Sequence, residues 1–161
     1  MIGLLEHDHA TASEAFEAAL SLSPSSGFSY HLGSVIAGWA GQAERAIQWG
    51  ERALRLSPLD PLGYLAHDSV SVGHFQRGRY EEAISAARKA IQFNPGFSIN
   101  YVLLAAPLAK LSRLDEARAA AARVLELQPS FSISKQFNSV GCARELTALL
   151  TDALTGAGLP P

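Results

Sequence analysis

An all-α solenoid of stacked helix hairpins is the fold class that this 161-residue sequence predicts, and three observations predict it. Pro24, Pro58, Pro95 and Pro129 are separated by 34, 37 and 34 residues. An alanine stands twelve positions before each of them, at Ala12, Ala46, Ala83 and Ala117. A turn residue stands five positions before the last three alanines, at Gly41, Gly78 and Ser112, with His7 in the first copy. Three markers in one register are the signature of a repeat architecture.

The unit is clearest from Tyr80 to Pro95. Ala83, Ala87 and Ala90 recur at i, i+4 and i+7, so one face of a helix carries almost no bulk and another backbone can approach it closely. Pro95 then stops the helix, because it lacks an N–H and fixes φ. The same design returns as Ala46, Ala53 and Pro58, as Ala117, Ala121 and Pro129, and as Ala12, Phe16, Ala19 and Pro24.

A period of 34 with small residues at two helix positions and a proline near the end resembles the tetratricopeptide repeat (TPR) family, over roughly Met1 to Pro129. The resemblance implies a right-handed superhelix of antiparallel helix pairs with a C-terminal capping helix. It divides the chain into a partial repeat (1–26), three repeats (27–60, 61–97 and 98–131) and a cap (132–161). Repeat two then has helix A near Phe28 to Ala40 and helix B near Ala43 to Ser57. Repeat three has them near Leu62 to Arg77 and Tyr80 to Asn94, and repeat four near Phe97 to Leu111 and Leu114 to Gln128. Gly50, where the family usually has an aromatic, and Val124, in place of the second small residue, are expected to loosen or re-space one helix pair each. Three extra residues follow Pro58. Either helix A starts a turn early, with Pro61 in its first turn, or the loop is longer.

Only Met1 to Glu6 precede the inter-helix turn of repeat one, so most of its helix A is missing and a C-terminal fragment of something longer is expected. Asp8 fits an N-cap there, with Glu14 and Glu17 near the positive helix end. After Pro129 the register is lost, and Phe131 to Val140 predicts a short irregular helix. From Ala143, Leu146, Leu149, Leu150 and Leu154 form the apolar stripe of an amphipathic helix covering the open end of the stack.

Composition narrows the function classes. Thirteen basic and fifteen acidic residues lack the basic footprint of a nucleic-acid binder. No apolar run approaches the roughly 20 residues of a membrane-spanning helix, and Met1 to His9 has no basic n-region. The single Cys142 excludes an internal disulfide framework and suits a reducing compartment, so a cytoplasmic location is expected.

Other phrases are similar to the C-terminal TPR region of bacterial class III adenylate/guanylate cyclases and related signalling regulators. They are His7 to Ala12, Leu22 to Ser26, Gly38 to Gly41, Glu51 to Pro61 and Ala157 to Pro160. In those proteins the catalytic or DNA-binding domain is N-terminal, and its activity does not carry over here. The resemblance implies a non-catalytic scaffold that binds a protein or peptide segment in a groove lined by the A helices. Self-association through the exposed half-repeat and a small-ligand sensor are the alternatives.

By register the groove positions are His31 and Val35 in repeat two, Asp68, Val72 and Gln76 in repeat three, and Val102, Ala106 and Lys110 in repeat four. The other role open to each is packing of neighbouring A helices. Val72 as a groove residue would tolerate aspartate with little loss of stability. The family's carboxylate clamp of Lys and Asn is absent, since the matching positions hold His31/Val35 and Asp68/Val72.

Sharper chemistry finds little support. In His7-Asp8-His9 adjacent side chains rarely converge on one ion, so no metal site is expected. His67 and His74, seven apart, fit hydrogen-bonded core histidines better than a ligand pair. Trp39 and Trp49 fit packing roles. Cys142 has no arrangement that would activate a thiolate. Ser23, Ser25, Ser26 and Ser57 sit at turns and caps. Neither a phosphate loop nor a nucleophile elbow is present, and no cofactor or enzymatic activity is expected.

Overall fold

The computed structural model describes residue 11, residues 14–22 and residues 25–161, and among these all regular structure is helical. Segment α1 covers residues 14–22. It is followed by α2 (Gly27–Trp39), α3 (Ala43–Leu56), α4 (Gly63–Gln76), α5 (Tyr80–Phe93), α6 (Ser98–Lys110), α7 (Leu114–Leu127), α8 (Ile133–Ser139) and α9 (Arg144–Gly156). The expectations for Asp8 as an N-cap and for His7-Asp8-His9 lie outside the described residues.

Three hairpins, α2/α3, α4/α5 and α6/α7, are closed in the same way. Gly41, Gly78 and Ser112 have φ of +80°, +71° and +59°. The next residue's N–H then returns to a carbonyl inside the first helix: Gln42 to Ala37 at 2.9 Å, Arg79 to His74 at 3.0 Å, Arg113 to Leu108 at 3.0 Å. Such a return bond requires a left-handed residue, the reason glycine fills two of the three positions. Ala46, Ala53, Ala83, Ala87, Ala90, Ala117, Ala121 and Val124 are all buried, as the close-approach face requires, whereas Ala19 of α1 is exposed.

Between repeats two and three the backbones themselves meet. A Cβ on Gly73 would lie 2.8 Å from the Ala43 carbonyl oxygen, and one on Gly50 would lie 2.9 Å from that of Ala66. Gly50 therefore tightens the α3–α4 pair; α4 moves into the space that an aromatic would occupy. The insertion after Pro58 is mostly loop. Helix α4 begins five residues after its proline, against three for α2 and α6, and is 14 residues long against their 13. Pro61 thus precedes the helix. The loop is closed by Asp60, whose Oδ1 accepts from Leu62 N–H at 2.9 Å and whose carbonyl accepts from Gly63 N–H at 2.8 Å.

Helix α2 packs on α4, and α4 on α6, while α3, α5 and α7 share no comparable contact with one another. The A helices α2, α4 and α6 therefore form the inner wall of the curve. The capping helix α9 packs on α6, with no comparable contact to α7. Its Leu146, Leu150 and Leu154 are buried with Ala153, and Lys110 of α6 pairs with its Asp152. Leu149, placed in the same stripe by spacing, is exposed. The buried stripe is therefore narrower than the spacing predicts. Helix α8 is regular and crosses to the far end of the wall: the Phe137 ring lies 6.0 Å from that of Trp39. Just beyond it, Ala143 N–H donates to the Trp39 carbonyl at 2.8 Å. Ile133 N–H donates to the Pro160 carbonyl at 3.0 Å, tying the two ends of the segment together. The C-terminal segment thus lies across the inner wall.

Candidate functional site

Helical spacing gives each A helix a row of side chains toward the inside of the curve, and α8 determines which of them meet solvent. Val72 is 2 % exposed. It sits on Gly38 of α2, where a Cβ would come within 2.8 Å of Val72 Cγ1. Val102 and Ala106 are fully buried in the same apolar cluster as Phe137, Leu146, Leu150 and Leu154. These three residues are packing residues of the core. Val72→Asp is therefore expected to destabilise the fold, where register alone predicts little loss of stability. Gln76 spans two A helices, its Nε2 donating to the Gly38 carbonyl at 3.1 Å. Lys110 is held by Asp152, and Val35 is half-buried. His31 is buried under the inserted loop, its Nε2 3.7 Å from Asp60 Oδ2. Burial lowers its pKa, and the Asp60 charge opposes part of that effect.

Between the wall and α8 lies a cavity of about 190 Å³. Val35 and Trp39 of α2 form one side, and Leu65, Asp68, Ser69 and Val72 of α4 form the floor. Phe97 and Ile99 at the start of α6 close one end, and Gln136 and Val140 of α8 form the roof. Asp68 is its only acidic group among the described residues, and neither carboxylate oxygen has a hydrogen-bond partner. Beside it, the polar capacity of Ser69 is used locally: its Oγ donates to the Leu65 carbonyl at 2.8 Å and accepts from Ser34 Oγ at 3.1 Å.

Burial raises the Asp68 pKa well above the ordinary carboxylate value, so its titration is linked to folding. In the unfolded chain Asp68 loses its proton near the ordinary value, while the folded chain retains it. Stability therefore falls as pH rises from there to the raised pKa, by about 1.4 kcal/mol per pH unit for this one group. Asp68→Asn is expected to match the wild type near pH 4. Its relative stability should then grow as pH rises toward the raised pKa, measured by urea unfolding across pH 4 to 7.5. A difference independent of pH would place the carboxyl in water.

The remaining candidates fall away from this cavity. His67 packs its ring 5.4 Å from that of Phe93, and burial together with the Lys89 and His31 charges lowers its pKa to about 4. His74 Nδ1 is buried without a hydrogen bond, so the expected core hydrogen bond is not made there. Among the described residues no group of three or more His, Cys, Asp or Glu is placed to hold a metal ion. Burial pushes the Cys142 thiol up, with a hydrogen bond involving Thr147 opposing, so the thiol stays protonated. Trp49 packs against Gly33 with Arg45 over its ring. No helix of the described residues is long and apolar enough to cross a membrane.

One feature of the wall escaped the repeat register. Phe28, Leu32, Val35 and Trp39 are spaced i, i+4, i+7 and i+11, so they share one face of α2. The Trp39 end meets α8, whereas Phe28 is 61 % exposed and Leu32 41 %. Their spacing was the signal available; only the seat of α8 shows which half is free.

Models described as tetratricopeptide repeat match residues 6–61, which include α2 and α3, and residues 74–97, which include α5. The chain carries tetratricopeptide repeats. It is 30 % identical over 105 residues to "Small glutamine-rich tetratricopeptide repeat-containing protein 2" of Mycosarcoma maydis. That match covers 65 % of this chain but 29 % of the relative, so the chain spans less than a third of that protein's length. Among solved structures, the TPR stack superimposes on the crystal structure of MamA with a TM-score of 0.67 at 18 % identity, covering 94 % of this chain and 87 % of that one. The MamA RS-1 ArsTM double mutant gives 0.65 at 14 % identity, covering 96 % and 87 %. At these identities the likeness is one of fold.

Proposed function

We propose that this chain is a non-catalytic protein-interaction scaffold whose docking site is the uncovered half of the inner wall, the Phe28–Leu32 end of α2. The observation that carries this reading is the division of one apolar face: α8 covers it at Trp39 and leaves two large side chains exposed at the other end. Adjacent exposed apolar side chains on a helix face suit an amphipathic segment laid along them. In this reading the C-terminal segment is a fixed part of the wall, and the partner continues along the track that it leaves free. The resemblance of several phrases to cyclase C-terminal regions favours a regulatory or assembly role within a larger bacterial signalling protein.

The double substitution Phe28→Asp, Leu32→Asp tests this. Phe28 is mostly in water and Leu32 about two-fifths exposed, so stability is expected to fall by no more than about 2 kcal/mol. The affinity for a partner captured by the wild-type chain is expected to fall at least tenfold. Unchanged affinity in the folded double variant would remove the site. Self-association is a second reading, favoured by Leu22 of α1 at 87 % exposure near the same end. Light scattering over a dilution series distinguishes it: a dimer that the double substitution dissociates makes a second copy the occupant.

A further inference from the structure

The cavity under α8 is built unlike an ordinary packing defect. Voids left by imperfect packing are lined by apolar groups and contain no unpartnered polar group. Here a carboxyl group sits in an apolar enclosure with both oxygens unpartnered. Buried polar groups are nearly always hydrogen-bonded, and an exception calls for a partner that the folded chain alone does not supply. The neighbouring polar groups do not reach it: the Ser69 hydroxyl is engaged with Leu65 and Ser34, and Gln76 is engaged with Gly38.

Size and chemistry then select the ligand. A dry cavity of roughly 150 Å³ accommodates a benzene ring, and this one holds about 190 Å³. A single ring or a short branched chain fits, with one polar substituent. A basic nitrogen that can take up the acid's proton answers the buried Asp68 carboxyl, and the resulting primary ammonium donates three hydrogen bonds to the carboxylate. Buried Asp68 keeps its proton in the folded chain, so an amine that enters as the free base takes up that proton, and the ammonium–carboxylate pair forms inside the enclosure. The apolar walls, chiefly Val35, Leu65, Val72 and Val140, would bury the body of the ligand.

We propose that the cavity between α4 and α8 is a binding site for a small primary amine with a compact apolar body, its ammonium group paired with the Asp68 carboxylate. This site is separate from the Phe28–Leu32 docking surface, and either stands if the other fails. The Trp39 ring lines the cavity and Trp49 does not, so the two indoles provide a reporter and an internal control.

Calorimetric titration and indole N–H chemical shifts test the proposal with three probes of similar shape: benzylamine, benzyl alcohol and toluene. Benzylamine is expected to bind the wild-type chain at least tenfold more tightly than either neutral probe and to shift the Trp39 signal while leaving Trp49 in place. In Asp68→Asn that preference is expected to vanish. Equal binding of benzylamine and toluene to the wild type would reduce the site to an apolar void and overturn the proposal. So would the absence of benzylamine binding at millimolar concentration, or a preference that survives in Asp68→Asn. The comparison of probes on the wild type decides the matter even if the variant folds poorly.

Discussion

Phe137→Ala is expected to lower the unfolding free energy by about 3–5 kcal/mol, the cost of emptying a buried aromatic site. The side chain is fully buried between the end of α2 and the cluster around α6, and its ring meets Trp39. Nothing in the repeat pattern would place it there. In a stack that simply continued past Pro129, the next helix would lean on both α6 and α7, as α6 leans on both α4 and α5. The segment instead packs mainly on α6, with no comparable contact to α7. A paired substitution makes the result specific: Leu149→Ala on α9 removes an exposed side chain and is expected to change stability by less than about 1 kcal/mol. Urea unfolding of both variants is the measurement. Similar small losses for the two would mean that the C-terminal segment is not packed on the wall.

The second large effect is a reversal of sign. Glycine to alanine inside a helix ordinarily gains up to about 1 kcal/mol, because alanine loses less backbone freedom on folding. At Gly73 the same substitution is expected to cost about 2 kcal/mol or more net, since the new methyl meets a backbone carbonyl that can retreat only by moving α3. The contact is the Ala43 oxygen at 2.8 Å, with Ile47 Cγ1 at 2.7 Å beside it. Gly156 provides the control. It ends α9, and a Cβ added there would meet no heavy atom within 4 Å, so Gly156→Ala is expected to be neutral or mildly stabilising. Two gains, measured by denaturant midpoint, would show that α3 and α4 stand further apart than described.

The hairpins were legible because their determinants are local and repeated. The alanines, the prolines and the turn residues Gly41, Gly78 and Ser112 placed the ends of α2 to α7 within a residue or two. From the pattern Gly50 is expected to loosen or re-space its helix pair, because the repeat records what is missing from a position. It does not record that a neighbouring backbone moves in. The seat of α8 and α9 was not legible, since it depends on contacts such as Trp39 with Phe137 that join residues about a hundred positions apart with no periodic signal. That hidden contact also separates the candidate site residues. Register identified Val72, Val102 and Ala106 as inner-wall residues, but a register gives the wall a side chain belongs to and not what lies on top of it. Asp68 was visible as a charge on the wall. Its lack of a partner arises only once α8 roofs the cavity.

Both the cavity and the free half of the wall depend on the C-terminal segment lying across the A helices. Nuclear Overhauser contacts of the Phe137 ring test that placement most directly. Cross-peaks to the Trp39 indole are predicted, given ring centres 6.0 Å apart. Cross-peaks to α7 side chains with none to Trp39 would contradict it, because the segment would then extend the stack.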